Sequence, residues 1–138
     1  MNQENLINLL KIYKNIEELY ESIYTLNIEN SLPIIPYTFN KTKIYCDELY
    51  EIFIIYWKEG FTSPIHSHAE NGCILYLLDG SLQEIIYSDS HTLINNKEIK
   101  SNQKSFIKNS LGFHKIKANK DSISLHIYSP PNSNITIY

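Results

Sequence analysis

The sequence predicts a mainly β protein, a sandwich or small barrel, with a short N-terminal helical segment. Three observations carry this. Eleven tyrosines and strings of isoleucine favour strands. From Tyr50 onward, apolar runs of strand length alternate with turn residues, the spacing of many short strands in one sandwich or barrel. Only between Leu6 and Leu26 do apolar residues recur every three or four positions, the helical period.

That period runs through Leu6, Leu9, Leu10, Tyr13, Ile16, Leu19, Tyr20 and Ile23 and predicts one helix or two short ones. Pro33 and Pro36 end helical continuity. Strands are then expected at Ile52 to Trp57, Ile74 to Leu78, Leu82 to Tyr87, Lys104 to Ile107, Phe113 to Lys117, Ile123 to Tyr128 and Ile135 to Tyr138. Asp79-Gly80 between two apolar runs predicts a tight hairpin, and Asn95-Asn96 and Lys120-Asp121 give weaker turn signals. A chain of 138 residues suits one domain, read as a helical segment over residues 1–32 packed on a barrel formed by residues 33–138.

Composition narrows the function classes. The formal charge is −3 and the twelve basic residues are scattered, so the concentrated positive field that a phosphate backbone requires is missing; nucleic acid is not an expected partner. No stretch reaches the roughly 18 uninterrupted apolar residues of a membrane span. A soluble, cytoplasmic monomer is expected. Its two cysteines, Cys46 and Cys73, read as reduced thiols rather than a disulfide framework. All twelve basic residues are lysine, and arginine is absent.

Chemistry first suggests itself in Ser63-Pro64-Ile65-His66-Ser67-His68. Histidines two apart leave the same face of an extended strand and can converge on one ion, and imidazole suits iron, zinc, copper or nickel. Two partly exposed strand histidines are an equal reading of the pair alone. A third, His114, follows Leu111-Gly112 on a later strand, where barrel closure could bring it opposite the pair. By itself it reads as a hydrogen-bonded strand histidine. In Ser122 to Tyr128 the alternation puts Ser124, His126 and Tyr128 on one face and Ile123, Leu125 and Ile127 on the other. The apolar face calls for a covering layer. The polar one faces solvent or lines a cavity, and taken alone it reads as solvent-facing.

Two blocks together resemble a known family. The first comprises Trp57-Lys58-Glu59-Gly60, Ser63 to His68, Asn71-Gly72-Cys73, Leu78-Asp79-Gly80-Ser81-Leu82 and Glu84; the second, Asn109 to His114 and Ser124 to Pro131. In this order, over roughly residues 37 to 131, they are similar to the two metal-binding motifs of the cysteine dioxygenase family of cupins. The resemblance implies a small cupin barrel holding one ferrous iron on three neutral histidines, His66, His68 and His114. The usual cupin carboxylate ligand is replaced near Gly72-Cys73, and Glu70 is expected to be structural or at the rim. It further implies a thioether bond between Cys73 and the ring of Tyr128, with Ser124 and His126 holding the tyrosine hydroxyl, so that the polar face turns inward.

The implied chemistry suits three neutral ligands, which leave the iron its full charge and draw an anionic thiolate to it. Thiol and dioxygen held at one centre would give a sulfinic acid carrying both oxygen atoms. The family's substrate-clamping arginine, however, has no counterpart. Its place falls at Asn40 or Lys41 counting back from Trp57, and at Phe39 when Tyr37 is aligned; Lys41 is the natural replacement, with Tyr37 adding a hydroxyl. Lysine keeps the charge and loses the planar two-pronged geometry. Cys46 matches no functional position and is expected to pack. The chain stops seven residues after Pro131, which predicts minimal strands beyond that point.

The leading expectation is therefore an iron-dependent dioxygenase of cysteine metabolism converting L-cysteine and O2 to cysteine sulfinic acid. The alternatives are another small thiol, such as 3-mercaptopropionate or cysteamine, and a non-catalytic metal- or thiol-binding cupin.

Overall fold

A computed structural model describes residues 1–27, 40–67, 69–88, 92–108 and 112–132. The helical period resolves into two helices, α1 (Gln3–Ile12) and α2 (Ile16–Ser22). They are separate because Tyr13 is extended and Asn15 starts afresh, its side chain accepting from the Glu17 and Glu18 amides. Asn2 and Asn5 form a reciprocal capping box on α1. The open carbonyls at the helix ends find partners from the sheet: the Tyr50 hydroxyl donates to Tyr13 O at 2.6 Å, and the Lys104 ammonium donates to Tyr20 O and Ile23 O.

Among the described residues eight strands follow: β1 (Asn40–Cys46), β2 (Glu51–Trp57), β3 (Gly72–Asp79), β4 (Ser81–Tyr87), β5 (Leu93–Lys100), β6 (Lys104–Ile107), β7 (Phe113–Ala118) and β8 (Ser122–Ser129). They form a five-stranded sheet of order β1-β2-β8-β3-β6 and a three-stranded sheet of order β5-β4-β7. The larger sheet is buried on both faces. Ile52, Ile54, Tyr56, Ile74, Tyr76, Leu125 and Ile127 pack under Leu6, Leu10, Ile16 and Leu19 of the helices. The opposite face, with Ile55, Trp57, Leu75 and Leu77, meets Leu82, Ile99, Ile116 and Ala118 of the smaller sheet. The helices are thus the covering layer that the apolar face of β8 requires.

Six of the seven expected strands form within a few residues of their expected ends; the seventh, Ile135 to Tyr138, and the expected domain boundary at residue 32 lie outside the described residues. Two strands were not anticipated. β1 and β5 are edges whose residues are mostly exposed and polar, so they lack the apolar alternation that marks a strand. Asn95-Asn96 consequently lies inside β5 rather than in a turn. Asp79-Gly80 also departs from expectation: β3 and β4 do not pair, and the turn carries the chain from one sheet to the other. Gly80 has φ +114°, and a Cβ there would lie 2.1 Å from Ser122 Oγ, so the corner needs glycine for space as well as conformation.

Gly112 matters more directly, because it leads into β7 and His114. Its φ is +120°, and a Cβ would lie 2.0 Å from the Tyr87 carbonyl oxygen. Gly112→Ala is expected to cost about 1–3 kcal/mol from backbone strain alone, plus the displacement of β7 from β4. Urea unfolding at equal m-value would measure it, and an unchanged midpoint would contradict the account.

Candidate active site

The site lies between the two sheets, and antiparallel register builds most of it. Tyr128 stands between Glu51 and Cys73, His126 between Phe53 and Leu75, and Ser124 between Ile55 and Leu77. Ser124, His126 and Tyr128 are 0%, 3% and 7% exposed, so this face is interior, as the family resemblance implied and contrary to what the alternation alone suggested. The smaller sheet contributes His114 on β7 and Glu84 on β4. Of these, His114, His126 and Tyr128 face a cavity of ≈ 270 Å³ that Lys41, Trp57 and His66 also line. That volume is just below the range of ligand sites, typically about 300–1,000 Å³.

His66 does not lie on a regular strand. Its segment runs along the open edge of β7, with Gly60 N–H donating to Ala118 O at 2.9 Å, Ser63 N–H to Ile116 O at 2.8 Å and His66 N–H to His114 O at 2.9 Å. The last contact is half of a bridge that places His66 directly opposite His114. Their Nε2 atoms are 2.8 Å apart. His68 lies outside the described residues, as do Tyr37 and Phe39.

Hydrogen bonding decides what those two nitrogens present. His66 Nδ1 is 2.8 Å from the Pro64 carbonyl, and His114 Nδ1 is 3.1 Å from Glu84 Oε2. Both partners accept, so each ring, in the neutral form in which imidazole binds a metal, spends its one N–H at Nδ1 and points its Nε2 lone pair at the other. Two lone pairs at this separation repel unless a cation stands between them. Burial and the neighbouring His114 push His66 down to about 4, which keeps its ring neutral near pH 7. The donor set therefore fits a metal ion, with His66 and His114 as two of its ligands.

Glu84, quoted within the first motif but given no role there, is the residue that sequence reasoning missed. Burial opposes its ionisation, yet hydrogen bonds with His114 and Ser105 and the charge of Lys97 outweigh it and hold the carboxyl below its ordinary value. The signal lay in the alternation of β4, where a carboxylate occupies the inward face between Leu82 and Ile86.

Cys73 is a buried free thiol, paired in register with Tyr128. Burial pushes both the thiol and the phenol well above their ordinary values, so both are neutral. Lys41 is exposed as a residue, but its Nζ lies 4.3 Å from the Phe53 ring centre and 5.0 Å from that of Tyr128, at the cavity wall. Partial burial lowers its ordinary value, with the neighbouring Cys73 and Glu51 opposing the shift. Asn40, another of the candidate clamp positions, does not line this cavity. Cys46 is exposed at the end of β1, which corrects the expectation that it packs. Glu70 is exposed and is not among the described residues that line this cavity.

Two facing sheets around a histidine-lined pocket define a cupin, and solved structures agree on the fold. A double-stranded β-helix protein from Klebsiella pneumoniae superposes with TM-score 0.64 at 8% identity, over 85% of this chain and 93% of its own. A cupin superfamily protein from Desulfitobacterium hafniense gives 0.60 at 8% identity, over 71% and 83%. Within this fold the chain belongs to the cysteine dioxygenase type I family, whose profile matches residues 14–138. It is 34% identical to cysteine dioxygenase type 1 of Rattus norvegicus and 32% to that of Homo sapiens, over 91 residues in each case. Those alignments cover 59% of this chain and 46% of each relative, so the chain spans about half the length of the curated relatives it matches.

Proposed function

We propose that this protein is an iron-dependent thiol dioxygenase that converts L-cysteine to cysteine sulfinic acid, R–SH + O2 giving R–SO2H. One observation carries the reading: the bare Nε2 atoms of His66 and His114 face one another beside the Cys73–Tyr128 register pair. His66 and His114, with His68 as the third ligand, would hold the metal. Bound ferrous iron would supply the positive charge that draws a thiolate and the redox chemistry that activates dioxygen.

The remaining roles belong to the chain's own side chains. Lys41 binds the substrate carboxylate at one point, with Tyr37 as a second contact. Tyr128 offers its hydroxyl to the reacting oxygen, held by His126 and Ser124. Burial keeps Cys73 a protonated thiol, a poor competitor for the metal. Its sulfur would join the Tyr128 ring in a thioether, with one hydrogen lost from each partner and dioxygen as the oxidant. Intact mass after turnover is expected to reveal a population lighter by two hydrogens that is absent in Cys73→Ser; its absence from the native protein would remove the crosslink from the proposal.

Among the described residues lining the cavity, Lys41 is a cation and none is a carboxylate. This favours thiols that carry a carboxylate and leaves the ammonium of cysteamine without a counter-charge. It also supports a second reading, 3-mercaptopropionate, whose carboxylate needs no accompanying amine site. Oxygen uptake by iron-loaded protein against cysteine, 3-mercaptopropionate and cysteamine tests both readings. Cysteine is expected to be the best substrate; a protein that oxidises none of the three is not a thiol dioxygenase.

A further inference from the structure

Trp57, the only tryptophan in the chain, stands at the end of β2 with its ring in the cavity wall. Its indole Nε1–H donates across the sheet to Ser124 Oγ at 2.8 Å. Ser124 Oγ lies 2.8 Å from His126 Nε2, and His126 Nδ1 lies 3.5 Å from the Tyr128 hydroxyl. Four side chains from two adjacent strands thus form one line ending at the cavity.

The direction of that line follows from its first member. An indole N–H donates and never accepts, whereas a serine hydroxyl accepts and has a single proton to give. With one donor already directed at Ser124 Oγ, the partner left for its own proton among the described residues is His126 Nε2. His126 is deeply buried, and burial, reinforced by the positive charge of Lys41, keeps its ring neutral with one N–H. Since Nε2 accepts, that hydrogen is on Nδ1, facing the tyrosine oxygen. In the opposite direction, Nδ1 would be bare and would take the phenol proton, turning it away from the cavity.

We propose that Trp57 is a positioning residue, whose indole N–H orients the chain Trp57→Ser124→His126→Tyr128 so that Tyr128 accepts from His126 and keeps its own proton for the cavity. The proposal rests on the reading of Tyr128 as the group that meets substrate and oxygen. It adds a fourth member to the Ser124–His126–Tyr128 set and gives the set a proton polarity.

The test must remove the donor without removing the ring, because Trp57 also packs against His126 with ring centres 6.4 Å apart. Benzothienylalanine keeps the shape of tryptophan with sulfur in place of N–H, and in a chain with one tryptophan its global incorporation changes this site alone. In the diamagnetic zinc-loaded protein, multiple-bond ¹⁵N–¹H correlation reads the His126 tautomer. The native protein is expected to carry the hydrogen on Nδ1 throughout, and the analogue protein to populate both tautomers. Ser124→Ala is expected to give the same mixture and serves if the analogue protein folds poorly. In the iron-loaded protein the analogue is expected to lower kcat about fivefold, the worth of one hydrogen bond, with KM little changed. A native His126 protonated on Nε2, or an analogue protein still wholly protonated on Nδ1, overturns the proposal. Tautomer and turnover are read separately, so an inactive protein with His126 protonated on Nδ1 overturns the proposed activity and supports the polarity.

Discussion

Replacing His114 by alanine is expected to strip most of the iron from protein purified under iron-replete conditions, and all thiol-dependent oxygen uptake with it. The variant removes one of the two nitrogens that face each other across 2.8 Å and takes one hydrogen-bond partner from the buried Glu84 carboxylate, which keeps Ser105. Glu84→Gln is the graded comparison. It keeps an oxygen to accept from His114 Nδ1 but loses the charge that makes the imidazole a stronger donor, so iron affinity should fall about 10–100-fold rather than vanish. Metal content after competition with a chelator should rank native above Glu84→Gln above His114→Ala. Full retention by His114→Ala would refute the ligand assignment.

Lys41→Ala is expected to raise KM for cysteine and 3-mercaptopropionate about 10–100-fold, the loss of a charge-assisted hydrogen bond of roughly 1.5–3 kcal/mol. Any turnover of cysteamine should not fall, since it has no carboxylate contact to lose. Steady-state oxygen uptake across the three thiols reads this directly. Lys41→Arg is the complementary variant: the ammonium sits over two aromatic rings, a position that a planar guanidinium can also take, and the fork should tighten carboxylate binding. If Lys41→Ala oxidises cysteine with native KM, the carboxylate is held elsewhere.

What could be read from the chain depended on whether burial left a mark on the residue pattern. The strands of the double-faced sheet were legible because both sides are packed, which forces apolar residues at nearly every position of β2 and β3. β1 and β5 were not, because an exposed edge imposes no such alternation on NKTKIYC or LINNKEIK. Asp79-Gly80 signalled a turn correctly but not its partners; turn chemistry is local, whereas which strands pair is settled by the packing of both sheets. In the site, His66, His114, Cys73 and Tyr128 could be named from paired motifs. Glu84 and Trp57 could not be given roles, because their parts depend on atoms brought close by strands far apart in sequence. His68 and Tyr37 lie outside the described residues and stay expectations.

The segment from Gly60 to His66 lies along β7 like an extra strand, tied at its far end by the bridge between His66 and His114. Without it, β7 would present an unpaired row of amides and carbonyls, the template by which one chain recruits another. The two residues that close this margin are also the two proposed to share a metal, so metal bound there would add to the edge's protection, by about 2.7 kcal/mol when free metal stands at a hundred times its Kd. On the proposed reading, loss of the metal would loosen the pin at His66 and His114, and β7 is where self-association of the metal-free protein would begin.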